Sequence, residues 1–193
     1  MIEQLIQLII LFFVIIDPML SFAIFMANTK GLSEREKKRT ALLAVALAAI
    51  ISYAFLFIGE RILTLFNTPL DNFRIAGGII LGILGTRMAL GHTILEIDDI
   101  KKNSSKAIAA IIATPLISGP ACITAIIISS HDYGMLLTGI AVGIVLGFTG
   151  LLLYISAWSE KYINKTAIKV TTTIMGLITL AWGVNFIRIG LGF

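Results

Sequence analysis

The sequence predicts an all-α membrane protein: six transmembrane helices in two inverted three-helix repeats, with helices 1 and 4 broken near the bilayer midplane. Three observations lead there. First, 58% of the 193 residues are hydrophobic and only 13% are charged, about half the charged share of a soluble domain, and mean hydropathy is +0.98. Second, six apolar runs approach or exceed the roughly 20 residues that cross a hydrocarbon core. Third, two of those runs are interrupted in mid-course by proline, at Asp17-Pro18 and at Ser118-Gly119-Pro120.

The runs lie at about 4–28, 40–66, 73–91, 107–130, 135–157 and 170–190. The first has neither a basic leader nor a cleavage site and is expected to stay in the membrane. Ser33 and Glu36 have the spacing of a capping box ahead of the second. Only His131-Asp132-Tyr133-Gly134 separates the fourth run from the fifth, which predicts an antiparallel hairpin. Residues 96–106 form the one long polar loop. It divides a single transmembrane domain, 1–193, into a first repeat of about 1–95 and a second of about 107–193. An odd number of spans per half makes the repeats inverted. Phe73 to Gly91 aligns without gaps on Thr172 to Gly190, with Gly77 on Gly176 and Gly91 on Gly190. Small residues at four-residue spacing, Gly139, Gly143 and Gly147 in the fifth run and Ala44, Ala48 and Ser52 in the second, predict close helix packing.

Lysine and arginine orient the chain. Twelve of the fifteen, namely Lys30, Arg35, Lys37, Lys38, Arg39, Arg87, Lys101, Lys102, Lys106, Lys161, Lys165 and Lys169, fall on one side of a six-span chain. Arg61, Arg74 and Arg188 fall on the other. This bias predicts a multi-pass cell-membrane protein with both termini outside. It accounts for the net charge of +4 without nucleic acid, and leaves some attraction to anionic lipid. Trp158 and Tyr162 suit interfacial anchors. Cys122 is the only cysteine, so no disulfide framework, metal cage or other cofactor is expected.

An ionised carboxylate in mid-membrane costs roughly 2.5 kcal/mol or more on insertion scales, which marks Asp17 as a functional residue. Aspartate is a good N-cap and proline is favoured at the next position, so Asp17-Pro18 reads as one half-helix ending and another beginning. Gly119-Pro120 reads the same way with no capping side chain. The N–H groups of Ala121, Cys122 and Ile123 then form an open anion-binding end. Asp17 suits a ligand ammonium, a coupling proton or cation, or a plain helix cap. Ser21, one turn beyond it, and Thr114, Ser118 and Thr124 around the second break add hydroxyls. Thr171, Thr172 and Thr173 add a polar cluster in the last run, as pocket walls or as bonds to carbonyls one turn back. Small zwitterions fit such a pocket.

Several stretches carry a resemblance. Ile16-Asp17-Pro18, Ala23-Ile24-Phe25, Thr29-Lys30-Gly31-Leu32-Ser33, Phe73-Arg74-Ile75-Ala76-Gly77-Gly78, Pro115 through Thr124 and Ile174-Met175-Gly176-Leu177 resemble the MarC family, in order and over essentially the whole chain. The resemblance implies a six-helix secondary transporter of small neutral amino acids such as glycine or alanine, driven by a proton or sodium gradient. The surviving Asp-Pro core keeps Asp17 in its role, and the nearly intact second motif makes Ser118-Gly119-Pro120 the better-supported half of a site in which Pro18, Ala121, Cys122, Ile123 and Thr124 are also expected to bind substrate. Leu20, Ser21 and Ala23 stand where the family usually has glycine, asparagine and a second proline, so a shorter, stiffer first break is expected here.

Other classes fit less well. An exporter of another small solute would share this architecture. A membrane electron-transfer subunit would need about four thiolates for a cluster, against one here. An intramembrane hydrolase would need a Ser–His pair, paired carboxylates or metal ligands, so no enzyme is expected.

Overall fold

The computed structural model describes residues 2–91, 108–110, 112–156 and 165–193. Among these it contains no strand and seven α-helices: α1 (Ile2–Ile16), α2 (Pro18–Asn28), α3 (Glu34–Leu65), α4 (Leu70–Ala89), α5 (Pro120–Tyr133), α6 (Met135–Ile155) and α7 (Lys165–Gly190), with a π-helical segment at Ile112–Ile117. The polar loop 96–106, His92, Trp158 and Tyr162 lie outside the described residues.

Among the described residues four stretches are long and apolar enough to cross a membrane: Ile2–Asn28, Glu34–Leu65, Met135–Ile155 and Thr166–Gly190. The expected third and fourth spans are not among them, for identifiable reasons. The 20 residues of α4 rise about 30 Å at 1.5 Å each, but they include Asp71, Arg74, Arg87 and four glycines. Past the second break, α5 has only 14 residues.

Local chemistry sets the boundaries. Ser33 and Glu36 close the capping box, so α3 begins at Glu34, six residues before its apolar run. Gly134 alone joins α5 to α6, with φ +86°, a conformation that glycine adopts without a Cβ penalty. At the first break only Asp17 leaves the helical path. Its N–H still donates to the Phe13 carbonyl (3.1 Å) and its carbonyl accepts from Ser21 N–H (2.9 Å), so α1 and α2 are nearly continuous.

The broken α1–α2 helix lies at the centre, with Leu8, Leu11, Phe12, Ile16 and Phe25 buried against α6, α7 and α5. Ala44 and Ala48 bring α3 in closely. Further along α3, Tyr53 lies beside Gly139 and Gly143 of α6 and donates to the Gly139 carbonyl (2.9 Å), whereas Gly147 faces open space.

The tightest pairing is antiparallel, between α4 and α7. A Cβ on Gly78 would come 2.6 Å from the Gly183 carbonyl oxygen, and one on Gly85 would come 2.5 Å from the Leu180 nitrogen. Buried positions recur between the two helices as Arg74/Thr172, Gly78/Gly176, Leu81/Thr179, Gly85/Gly183 and Met88/Phe186, each pair 98 positions apart. The gapless alignment of Phe73 on Thr172 matches identical side chains at an offset of 99 positions, whereas burial matches at 98, where glycines let the two backbones touch.

Candidate functional site

Between the two breaks lies a cavity of about 210 Å³, smaller than the roughly 300 Å³ at which drug-sized pockets begin. From α1 and α2 it is lined by Ile15, Ile16, Asp17 and Leu20, and from the second break by Gly119, Pro120, Ala121 and Cys122. From α4 come Ile80, Ile83, Leu84, Arg87 and Met88. It reaches the surface beside Ile80 and Ile83, which are 39% and 56% exposed.

Asp17 is only 3% exposed. Its backbone is left-handed, φ 40° and ψ 77°, a region that aspartate tolerates better than most residues because its short side chain bonds locally. Here Oδ1 accepts from the Leu20 N–H at 3.1 Å, and the carboxylate also faces the Met19 N–H. The second oxygen, Oδ2, is buried with no hydrogen-bond partner. Thr172 on α7 lies beside the carboxylate, yet its own buried Oγ1 closes no hydrogen bond, neither to Asp17 nor to a carbonyl one turn back. A bare buried carboxylate oxygen is costly unless a proton or a cation meets it. This end of the site therefore favours positive charge or a hydrogen-bond donor such as the neighbouring Thr172 hydroxyl.

The second break is built differently. Residues 112–117 form a π-turn, closed by Ser118 N–H donating to the Ala113 carbonyl at 2.9 Å. Such turns interrupt helices at functional sites more often than elsewhere. The Ser118 hydroxyl donates to the Ala48 carbonyl at 2.9 Å. Its single hydrogen is then used, so Ser52 is the donor in the 2.9 Å Ser52–Ser118 bond. These bonds hold the break against α3. Gly119 then caps α5 with extended backbone and no side-chain hydrogen bond. Pro120 has no N–H, which leaves those of Ala121 and Cys122 at an uncapped, cavity-lining helix end. The unpaired N–H groups there carry about half a positive charge.

Not every expected residue converges on the cavity. Asp17, Gly119, Pro120, Ala121 and Cys122 do. The Ile123 N–H does not face a ligand, because it makes the first helical bond of α5, to the Gly119 carbonyl at 3.0 Å. Thr124 donates to the Pro120 carbonyl (2.8 Å) and packs on Gly77. Ser21 donates to the Ile16 carbonyl (3.1 Å) and is fully buried. Pro18 and Ser118 are buried behind the lining, and Thr114 is exposed on the π-turn. Arg87 was missed by sequence reasoning, which grouped it with the basic residues of the loop. Its signal was its place two residues before the end of α4, one helical turn beyond Ile83 and Leu84. Among the described residues no carboxylate pairs with it.

Apolar helices, two helix breaks and a small cavity between them define a helical integral membrane protein with a buried polar site. The chain belongs to the MarC family: the family model, described as MarC family integral membrane protein, matches residues 2–192. It is similar to UPF0056 membrane proteins of bacteria and archaea. One from Buchnera aphidicola subsp. Baizongia pistaciae is 33% identical, with 93% of this chain and 88% of the relative covered. One from Escherichia coli K12 is 31% identical, covering 93% and 87%. One from Bacillus subtilis 168 is 32% identical, covering 93% and 90%. No solved structure matches the chain.

Proposed function

We propose that this protein is a secondary active transporter of small neutral amino acids, of the glycine and alanine type, across the cell membrane. One observation carries the reading: a single small cavity has a half-unpaired carboxylate at one side and an uncapped helix N-terminus at the other. A zwitterion presents the complementary pair of charges. Its ammonium meets Asp17 Oδ2, and its carboxylate meets the N–H groups of Ala121 and Cys122, with Arg87 as a nearby countercharge. The small volume and the apolar walls from α4 favour a short, uncharged side chain.

When no ammonium is present, Asp17 takes a proton or a sodium ion, which couples the solute to a gradient. The solute is moved and not transformed, so no enzymatic step is assigned. The matched burial of α4 and α7 and the paired breaks support two inverted three-helix repeats that rock about the midplane. In this arrangement α4 and the 107–133 segment complete six spans, and both termini face outside.

Competition for uptake into proteoliposomes tests the proposal. Alanine should compete with labelled glycine, whereas glycinamide and ethylamine, which lack the carboxylate, should not. Equal competition by glycinamide would rule out carboxylate recognition at α5.

A further inference from the structure

We propose that the groove between the start of α3 and the end of α6 is a binding site for one anionic phospholipid, its phosphate held by Arg35 and Arg39. The groove is lined by Arg35, Glu36, Lys38, Arg39, Leu42 and Tyr154 and shares no residue with the cavity between the breaks. Its charges are unevenly used. Lys38 pairs with Glu34 at 2.5 Å and lies 5.4 Å from the centre of the Tyr154 ring. Glu36 is turned back onto Ser33, accepting from its N–H at 2.9 Å and its hydroxyl at 2.7 Å. Among the described residues Arg35 and Arg39 pair with no carboxylate. Two guanidinium groups one helical turn apart repel each other, and both are exposed. A phosphate between them relieves that repulsion and accepts forked hydrogen bonds from each.

The rest of the face selects a lipid over a free anion. From Arg35 and Arg39 the same side of α3 continues through Leu42, Ala46 and Ile50, all exposed, with Leu42 61% and Ile50 65% accessible. On α6, one turn before the groove-lining Tyr154, Leu151 is 55% exposed. The groove therefore runs from two cations into an apolar stripe along a helix apolar enough to span the membrane. A headgroup and an acyl chain have that sequence of polarity, and basic pockets between transmembrane helices suit anionic headgroups.

Native mass spectrometry of the detergent-purified full chain tests the site, with phosphatidylglycerol and phosphatidylcholine of identical acyl chains as probes. Phosphatidylglycerol should bind about thirtyfold more tightly than phosphatidylcholine, the scale of two basic residues at an anionic surface. The double variant R35Q/R39Q should lose that preference yet still bind phosphatidylcholine through the acyl chains along the apolar stripe, which also shows that it is folded. Lys30→Gln, which removes an exposed cation outside the groove, should keep the preference. Millimolar inorganic phosphate should not displace the lipid. Equal binding of the two lipids, an undiminished preference in R35Q/R39Q, or an equal loss in Lys30→Gln would overturn the site. Displacement by inorganic phosphate would also overturn it, by making the groove a free-anion site.

Discussion

The two helix breaks begin with the same device and finish it in opposite ways. In each, proline opens a new helix in mid-chain. At the first break the preceding residue is Asp17, whose Oδ1 caps α2. The interruption is one residue long, and the helix end is occupied by the protein's own carboxylate. At the second break the preceding residue is Gly119, which caps nothing. A π-turn and two hydroxyl bonds to α3 hold that break open. One side chain thus decides which end of the cavity attracts cations and which attracts anions. Two helix starts opened by proline thus acquire opposite polarity through the residue that precedes the proline.

Making the breaks alike should have the largest effect. Gly119→Asp gives the second break the carboxylate of the first, which takes the N–H groups offered to a substrate. Uptake of glycine should fall to background while the protein still elutes as a single species in detergent. Normal uptake would show that the two ends are not used differently.

Removing the first carboxylate should come next. Asp17→Asn keeps the shape and the capping oxygen but not the charge. Loss of one partner of a buried charge pair costs roughly 3 kcal/mol or more, which predicts a drop in uptake of about two orders of magnitude at equal expression. Near-normal uptake would reduce Asp17 to a helix cap.

The smallest effect should come from the support behind the second break. Ser118→Ala removes the bonds to Ala48 and Ser52 but leaves the N–H groups of Ala121 and Cys122 in place. Net losses of about 1 kcal/mol per hydrogen bond predict a melting temperature lower by several degrees and a modest fall in uptake. An unchanged melting temperature would show that these bonds do not hold the break open.

What the sequence made legible was local. Apolar runs, two X-Pro breaks, the Ser33–Glu36 box and the short connection ending at Gly134 depend on residues within a few positions of each other, although His131, Asp132 and Tyr133 of that connection prolong α5 and leave Gly134 alone as the turn. Tertiary partners were not legible. Nothing adjacent in the chain reveals that Ser118 is spent on Ala48 and Ser52, 70 and 66 residues away. The side chains of Ser21 and Thr124 turn to carbonyls in their own segments, at Ile16 and Pro120, because a buried hydroxyl takes the nearest acceptor. The Ile123 N–H was misjudged by simple counting, since the fourth residue after a cap already has a helical acceptor. Arg87, itself exposed, borders the cavity because α4 is rotated to put its glycines on α7, and that rotation is written in packing, not in local pattern.

That rotation has a mechanical consequence. Where α4 meets α7, the close approaches at Gly78, Gly85, Gly176 and Gly183 include main-chain atoms. Side chains can adopt other rotamers as two helices slide, but touching backbones have nothing to rearrange. The α4–α7 pair is therefore a keel, and the cavity wall of Ile80, Ile83, Leu84, Arg87 and Met88 is fixed to it. If the two repeats rock as proposed, they pivot about this α4–α7 contact, and access to Asp17 changes at the two broken helices, whose joints consist of one residue at Asp17 and two at Ser118-Gly119.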